Sequence, residues 1–149
     1  MLIFMKSPFL FAWAKPVPVN PAYFRNPQKG MMLVAMAGPA ANLSIAIVLS
    51  VLLHLTGGFL PAFFARTFAY VSVINVMLMV FNLIPIPPLD GSRIVARFLK
   101  GKALWHYMKL ERFGMFIVFG LLFTGVISSI LIPAMNLAVK LLDLMAYLS

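Results

Sequence analysis

Met31 to Leu55 reads MMLVAMAGPAANLSIAIVLSVLLHL, 25 residues without a single Asp, Glu, Lys or Arg. A helix needs about 20 apolar residues to cross the hydrocarbon core, so this run spans a bilayer with some tilt. The rest of the chain agrees with that reading. Of its 149 residues, 63% are hydrophobic and 10% are charged, and the mean hydropathy is +1.02. A soluble domain is roughly half apolar and a quarter charged, so a water-soluble globule is excluded. Disorder is excluded on the same ground, because the chain carries too much apolar side chain.

The polar inventory is short. Asp90, Glu111 and Asp143 are the acids, His54 and His106 the histidines, and there is no cysteine. No disulfide, thiol nucleophile or cysteine-ligated metal can be built. Acid–base or metal chemistry draws on these five side chains. Twelve Lys and Arg give a formal charge of +9 and a pI near 10.4. Such a pI can mark nucleic-acid binding. Here the basic residues lie between long uncharged runs, with little basic-aromatic surface to read a strand. No nucleic-acid partner is expected.

Outward from the central run, Leu2 to Phe11 is too short to span and lacks the features of a signal peptide. It reads as the last turns of a helix. Lys15-Pro16-Val17-Pro18-Val19-Asn20-Pro21 favours extended backbone, followed by a polar loop through Arg25, Asn26, Pro27 and Lys29. On the other side, Thr56-Gly57-Gly58 and Pro61 mark a turn. A second span is expected over 67–84, carrying Asn75 and Asn82. Arg93 to Arg112 holds six basic residues and Glu111 in a helix-compatible pattern. It reads as one helix on the membrane surface. A third span is expected over 113–132. After Pro133, Leu137, Leu141, Leu144 and Leu148 recur at helical spacing, as in an interfacial helix.

The expected fold is thus an all-α polytopic integral membrane protein with a single membrane domain over 1–149. Its parts are three spans (31–55, 67–84, 113–132), a cytoplasmic surface helix and a C-terminal interfacial helix. Alternating spans put loops 12–30 and 85–112 on one side with nine Lys and Arg, against Arg66 and Lys140 on the other. The positive-inside bias makes those two loops cytoplasmic. Membrane lipid is a partner by necessity, and the basic segment 93–112 is placed to touch anionic lipid.

Two stretches stand out inside this frame. Ala35, Ala37, Gly38, Ala40 and Ala41 give the first span a small-residue face that another helix can approach closely. Asn42 lies beside it, and a polar group at that depth calls for a partner. The second stretch is Phe81-Asn82-Leu83-Ile84-Pro85-Ile86-Pro87-Pro88-Leu89-Asp90-Gly91. Three prolines in four residues end the helix, and unwound backbone at membrane depth must be buried in protein or line a wet cavity. A carboxylate just beyond it is a ligand, proton carrier or counter-ion by default. The plainer alternative is an Asp that caps the following helix, 92–99. Whether Asn82 meets Asp90 depends on the broken geometry between them.

The segment Asn82-x-x-Pro85-x-Pro87-Pro88-Leu89-Asp90-Gly91 resembles the second signature of the site-2 proteases, the intramembrane zinc metallopeptidases. Trp13-Ala14-Lys15-Pro16-Val17-Pro18-Val19-Asn20 is similar to a stretch of their short bacterial members. Gly38-Pro39-Ala40-Ala41-Asn42 matches their Gly-Pro-x-x-Asn, and Leu110-Glu111-Arg112-Phe113-Gly114 a segment before their last span. The four stand in order from about residue 12 to about residue 135.

The resemblance implies a zinc metalloendopeptidase that cuts transmembrane or membrane-proximal protein substrates, in the bacterial inner membrane. It makes Asp90 a metal ligand and Asn82 a group that orients the scissile peptide. Pro85, Pro87, Gly91, Gly38, Pro39 and Asn42 support the motifs. The remaining ligands in the family are two histidines of a His-Glu-x-x-His motif, whose Glu is the general base. Zinc with three protein ligands keeps a fourth position for water, whose pKa it lowers.

This sequence contains no His-Glu-x-x-His. Only twelve residues precede Trp13, where the family places at least one full helix bearing that motif and another after it. The chain therefore looks like the C-terminal part of such a protease. His54 is expected on the far side from Asp90, about a bilayer core (~30 Å) away. His106 is expected in an interfacial Trp105-His106-Tyr107 setting. Neither replaces a missing ligand. Glu111 is expected to pair with a neighbour or sit at the headgroups. The alternative function is a non-catalytic pseudoprotease or truncated remnant that binds membrane helices. A small transporter or channel subunit fits less well, because the expected spans contain no paired charges.

Overall fold

A computed structural model describes residues 20–56, 59–144 and 148. The expected helix stub at Leu2–Phe11 and the extended stretch from Lys15 to Val19 lie outside the described residues. Six α-helices follow in order: α1 Pro27–Thr56, α2 Ala62–Leu83, α3 Asp90–Phe98, α4 Gly101–Lys109, α5 Gly114–Phe123 and α6 Val126–Leu141. Two short 3-10 turns, Pro21–Tyr23 and Leu110–Arg112, precede α1 and α5. No strand occurs among the described residues.

α1 begins four residues before the uncharged run. Asn26 Oδ1 accepts the Lys29 N–H at 3.1 Å, and Pro27 takes the first helical position, where its missing N–H costs nothing. At the other end the Thr56 hydroxyl donates to the Leu52 and Leu53 carbonyls, each at 2.9 Å. Thirty residues of helix reach about 45 Å, longer than the hydrocarbon core. α2 starts at Ala62, directly after Pro61, and so takes in Arg66. It ends at Leu83 because Pro85 drives Ile84 out of helical backbone, to φ −60° and ψ 130°.

Polar side chains within these helices bond their own backbone. The Ser44, Ser72 and Asn75 side chains donate to the carbonyls of Ala40, Phe68 and Val71, each at 2.8 Å. That is how a helix carries polar groups where no water is available. Asn42 departs from the pattern: among the described residues its half-buried amide has no hydrogen bond, so the partner expected for it is not found.

α1 and α2 are both long and apolar enough to cross a bilayer. The third uncharged run differs from expectation. It is not one helix over 113–132. Gly125 adopts φ +77°, a left-handed backbone that stops α5 as glycine commonly does at a helix end. The chain turns, and α6 leaves at 73° to α5. Pro133, expected to end the span, lies inside α6. A proline there forfeits one backbone bond without ending the helix. α6 runs antiparallel to α2. Ile127 packs with Ile84 and Val118 at one end, and Val139, Leu142 and Leu144 pack with Leu53 and Ala69 at the other. These two clusters are the cores of the molecule. Most remaining apolar side chains of α1 and α2 face outward, among them Ile47, Val48, Tyr70 and Ile74.

The basic segment also differs from expectation. It forms two helices, α3 and α4, separated where Leu99 and Lys100 are extended and Gly101 takes φ +53°. α3 packs on α1 and α2 at the end where the proline turn lies.

A candidate ligand carboxylate at the proline turn

Backbone bonds define the turn between α2 and α3. The Ile86 N–H donates to the Ile84 carbonyl at 2.8 Å, Leu89 to Ile86 at 2.9 Å, and Ser92 to Leu89 at 3.0 Å. The Pro87–Pro88 peptide is cis. Three close contacts pin this turn. The Tyr107 hydroxyl donates to the Pro85 carbonyl at 2.8 Å. Gly91 lies directly against the Leu83 carbonyl, and Gly114 against the Pro87 carbonyl, so a methyl group at either glycine would overlap those oxygens. Sequence reasoning quoted Gly91 and Gly114 as motif residues without seeing what they touch. It passed over Tyr107, whose only signal was a tyrosine in an interfacial aromatic cluster. Tyr107→Phe is expected to lower stability by about 1 kcal/mol, the net worth of one hydrogen bond. The shift in thermal unfolding midpoint in detergent micelles checks this.

The turn delivers Asp90 to the start of α3. Asp90 is the first residue of that helix, and no side-chain bond caps the helix N-terminus. The capping alternative is thereby set aside. Its carboxylate instead lies over α1, with Oδ2 3.1 Å from where a Cβ on Gly38 would stand. Gly38 is the residue that lets the carboxylate come this close. Among the described residues no hydrogen bond reaches the carboxylate. Burial pushes its pKa up, and the positive charge of Arg93 one turn later pulls part of the way back. Arg93 is itself bonded to Glu111 Oε1 at 2.7 Å. Asn82 stands on the last turn of α2, half-buried and without a hydrogen bond among the described residues. Asn42 lies one turn beyond Gly38 on α1. The structure thus brings Gly38 and Asp90 together and leaves the Asn82 and Asn42 amides unengaged.

The other titratable groups lie elsewhere. His54 donates from Nδ1 to the Ser50 carbonyl at 2.7 Å, and its Nε2 is 3.4 Å from Asp143 Oδ2, at the opposite end of α1 from Asp90. His106 donates from Nδ1 to the Lys102 carbonyl of its own helix at 2.7 Å. Glu111 pairs with Arg93, not with its neighbour Arg112. No three His, Asp or Glu side chains converge among the described residues, and all five such side chains of the sequence are described. A zinc site needs three or four protein ligands. These residues supply one, so a complete zinc site does not fit this chain's own donor set.

Residues 60–125 match the model of peptidase family M50. That segment contains Asn82, the proline turn, Asp90 and Gly114. Over that segment the chain is similar to peptidase family M50. Among curated proteins it is 38% identical over 134 residues to "Putative zinc metalloprotease YwhC" of Bacillus subtilis (strain 168), covering 85% of this chain and 61% of that protein. The same description heads Rip3 of Mycobacterium tuberculosis (strain ATCC 25618 / H37Rv), 35% identical over 72 residues, 48% of this chain and 18% of that protein. It also heads Rip2 of Mycolicibacterium smegmatis (strain ATCC 700084 / mc(2)155), 35% identical over 107 residues, 70% of this chain and 37% of that protein. The chain therefore spans less than two thirds of the length of each. Zinc is the metal that these names carry. No solved structure matches the chain.

Proposed function

We propose that this chain supplies the aspartate-bearing part of a site-2 protease-like zinc metalloendopeptidase that cuts peptide bonds in or near the membrane. The observation that carries the reading is the Asp90 carboxylate. It is half-buried, bonded to no donor among the described residues, caps no helix, and is held over Gly38 by a turn fixed at three points. A carboxylate left without partners beside the membrane is suited to a ligand that the rest of the molecule does not supply. Asn82, on the last turn of α2 with its amide free, is suited to hydrogen-bond the carbonyl of the peptide to be cut. The missing ligands and base belong to a His-Glu-x-x-His helix that these 149 residues do not contain.

The substrate on this reading is a transmembrane or membrane-proximal protein. On this reading the proline turn lies on the cytoplasmic side of a bacterial inner membrane, and the nine Lys and Arg of segments 12–30 and 85–112 support that orientation. α1 and α2 then cross the bilayer, and the bent pair α5–α6 makes the third passage, with α6 the part that runs along α2.

Zinc content and cleavage of a membrane-anchored peptide test the proposal. They are measured on the chain alone and on the chain joined to a His-Glu-x-x-His-bearing helix pair. The chain alone is expected to hold almost no zinc and to cut nothing. The joined protein is expected to bind one zinc and to cleave. Zinc-dependent cleavage by the 149-residue chain alone, lost in Asp90→Ala, would overturn the view that the site is shared. In the joined protein Asn82→Ala is expected to slow cleavage by roughly 100-fold, as for loss of one oriented donor, with zinc content unchanged.

A further inference from the structure

Beyond the peptidase reading, we propose that Lys29, Arg97 and Lys100 form a headgroup site for an anionic phospholipid. They line a groove of about 550 Å³ between the first turn of α1 and the end of α3, together with Met32 and Phe98. α1, α3 and the extended link after α3 thus bring three cations to one place. The Gln28 amide reaches the Leu99 carbonyl at 3.5 Å and ties the two walls together.

The charge in the groove is uncompensated. The ion pairs among the described residues are Arg93–Glu111 and His54–Asp143, and Asp90 lies over Gly38. All three acids of the chain are therefore placed, and none forms an ion pair with Lys29, Arg97 or Lys100. The positive end of the α1 dipole adds to the same field. Arg97 offers a planar fork that suits phosphate oxygens, and the two lysines act as point charges.

The groove is also apolar on its membrane side. Phe98 is 77% exposed, and Met32 and Met36 follow Lys29 at three and seven residues, on the same face of α1. A phosphate at the three cations would have apolar surface directly below it. That combination fits a diacyl phospholipid with a net negative headgroup. A free phosphate would leave the apolar strip unused.

Native mass spectrometry of the purified chain in dodecyl maltoside, titrated with dioleoyl phosphatidylglycerol or dioleoyl phosphatidylcholine, measures the site. Phosphatidylglycerol is expected to bind at least about tenfold more tightly, since each basic residue near an anionic surface contributes about fivefold. Lys29→Gln, Arg97→Gln and Lys100→Gln together are expected to abolish that preference. Lys102→Gln, Lys109→Gln and Arg112→Gln together remove the same amount of charge, all from the basic segment but outside the groove, and are expected to change it by less than about twofold. Equal affinity for the two lipids overturns the proposal, as does equal loss in the two triple variants. Displacement of phosphatidylglycerol by millimolar inorganic phosphate overturns the assignment to lipid. If circular dichroism shows lost helix in the first triple variant, the single variants are read instead. Each is expected to weaken phosphatidylglycerol binding about threefold or more, and unchanged singles overturn the site.

Discussion

Gly114→Ala is expected to destabilise the fold by about 3 kcal/mol, the upper end of the usual cost of overpacking. The added methyl would overlap the Pro87 carbonyl and stand 2.8 Å from the ring of Pro88. Neither neighbour can give way easily. Both prolines have ring-fixed φ angles, and the Pro85 carbonyl two residues upstream is bonded to Tyr107. α5 would have to retreat, and with it Val118, which packs against Ile84 and Ile127. Gly120→Ala, two turns on in the same helix, has nothing within 4 Å of the new methyl. It is expected to be neutral or slightly stabilising. Thermal unfolding of the two variants in detergent micelles decides the matter. Equal midpoints would mean that the contact between α5 and the proline turn does not hold the turn in place.

The long apolar helices α1 and α2 were legible because charge is excluded from a bilayer whatever the tertiary structure. Uncharged runs of sufficient length therefore mark them directly. The third run shows the limit of the same signal. Hydropathy reports whether a segment is apolar, but not its backbone path. Gly125 and Pro133 both stand in that region, and proline is the stronger breaker by propensity. The chain breaks at the glycine, whose left-handed backbone turns it, while Pro133 is accommodated inside α6. The basic segment shows the same limit. Its charge pattern is helical throughout, yet Gly101 divides it.

The candidate site was half legible. Composition alone showed that one acid in a recognisable motif could not be joined by enough others. The structure adds where the rest go. Glu111 is spent on Arg93 and Asp143 lies beside His54 at the far end of α1. What no pattern could show is the meeting of Gly38 with Asp90, 52 positions apart in the sequence. It follows from how α1 and α3 cross, and a small residue on one helix says nothing about which side chain fills the space it leaves.

Asp90→Ala should separate chemistry from architecture. In the protein completed with a His-Glu-x-x-His helix, it is expected to lower peptide cleavage by roughly 10⁴-fold, the scale of losing one member of a catalytic set, and to remove bound zinc. Asp90→Asn keeps the shape and loses the charged ligand, so a comparable loss is expected. Stability should move the other way or not at all. The carboxylate makes no hydrogen bond among the described residues, caps no helix, and is half-buried, which disfavours its charged form. Removing it is expected to change the unfolding free energy by less than about 0.5 kcal/mol, as at a site without specific contacts. A residue held for structural reasons behaves differently: its alanine variant melts early and asparagine, which also caps helices well, restores it. If Asp90→Ala lowered the midpoint by several degrees and Asp90→Asn recovered both midpoint and cleavage, Asp90 would be a helix-start residue and not a metal ligand. Intact stability with lost zinc and lost cleavage in both variants assigns it to the metal.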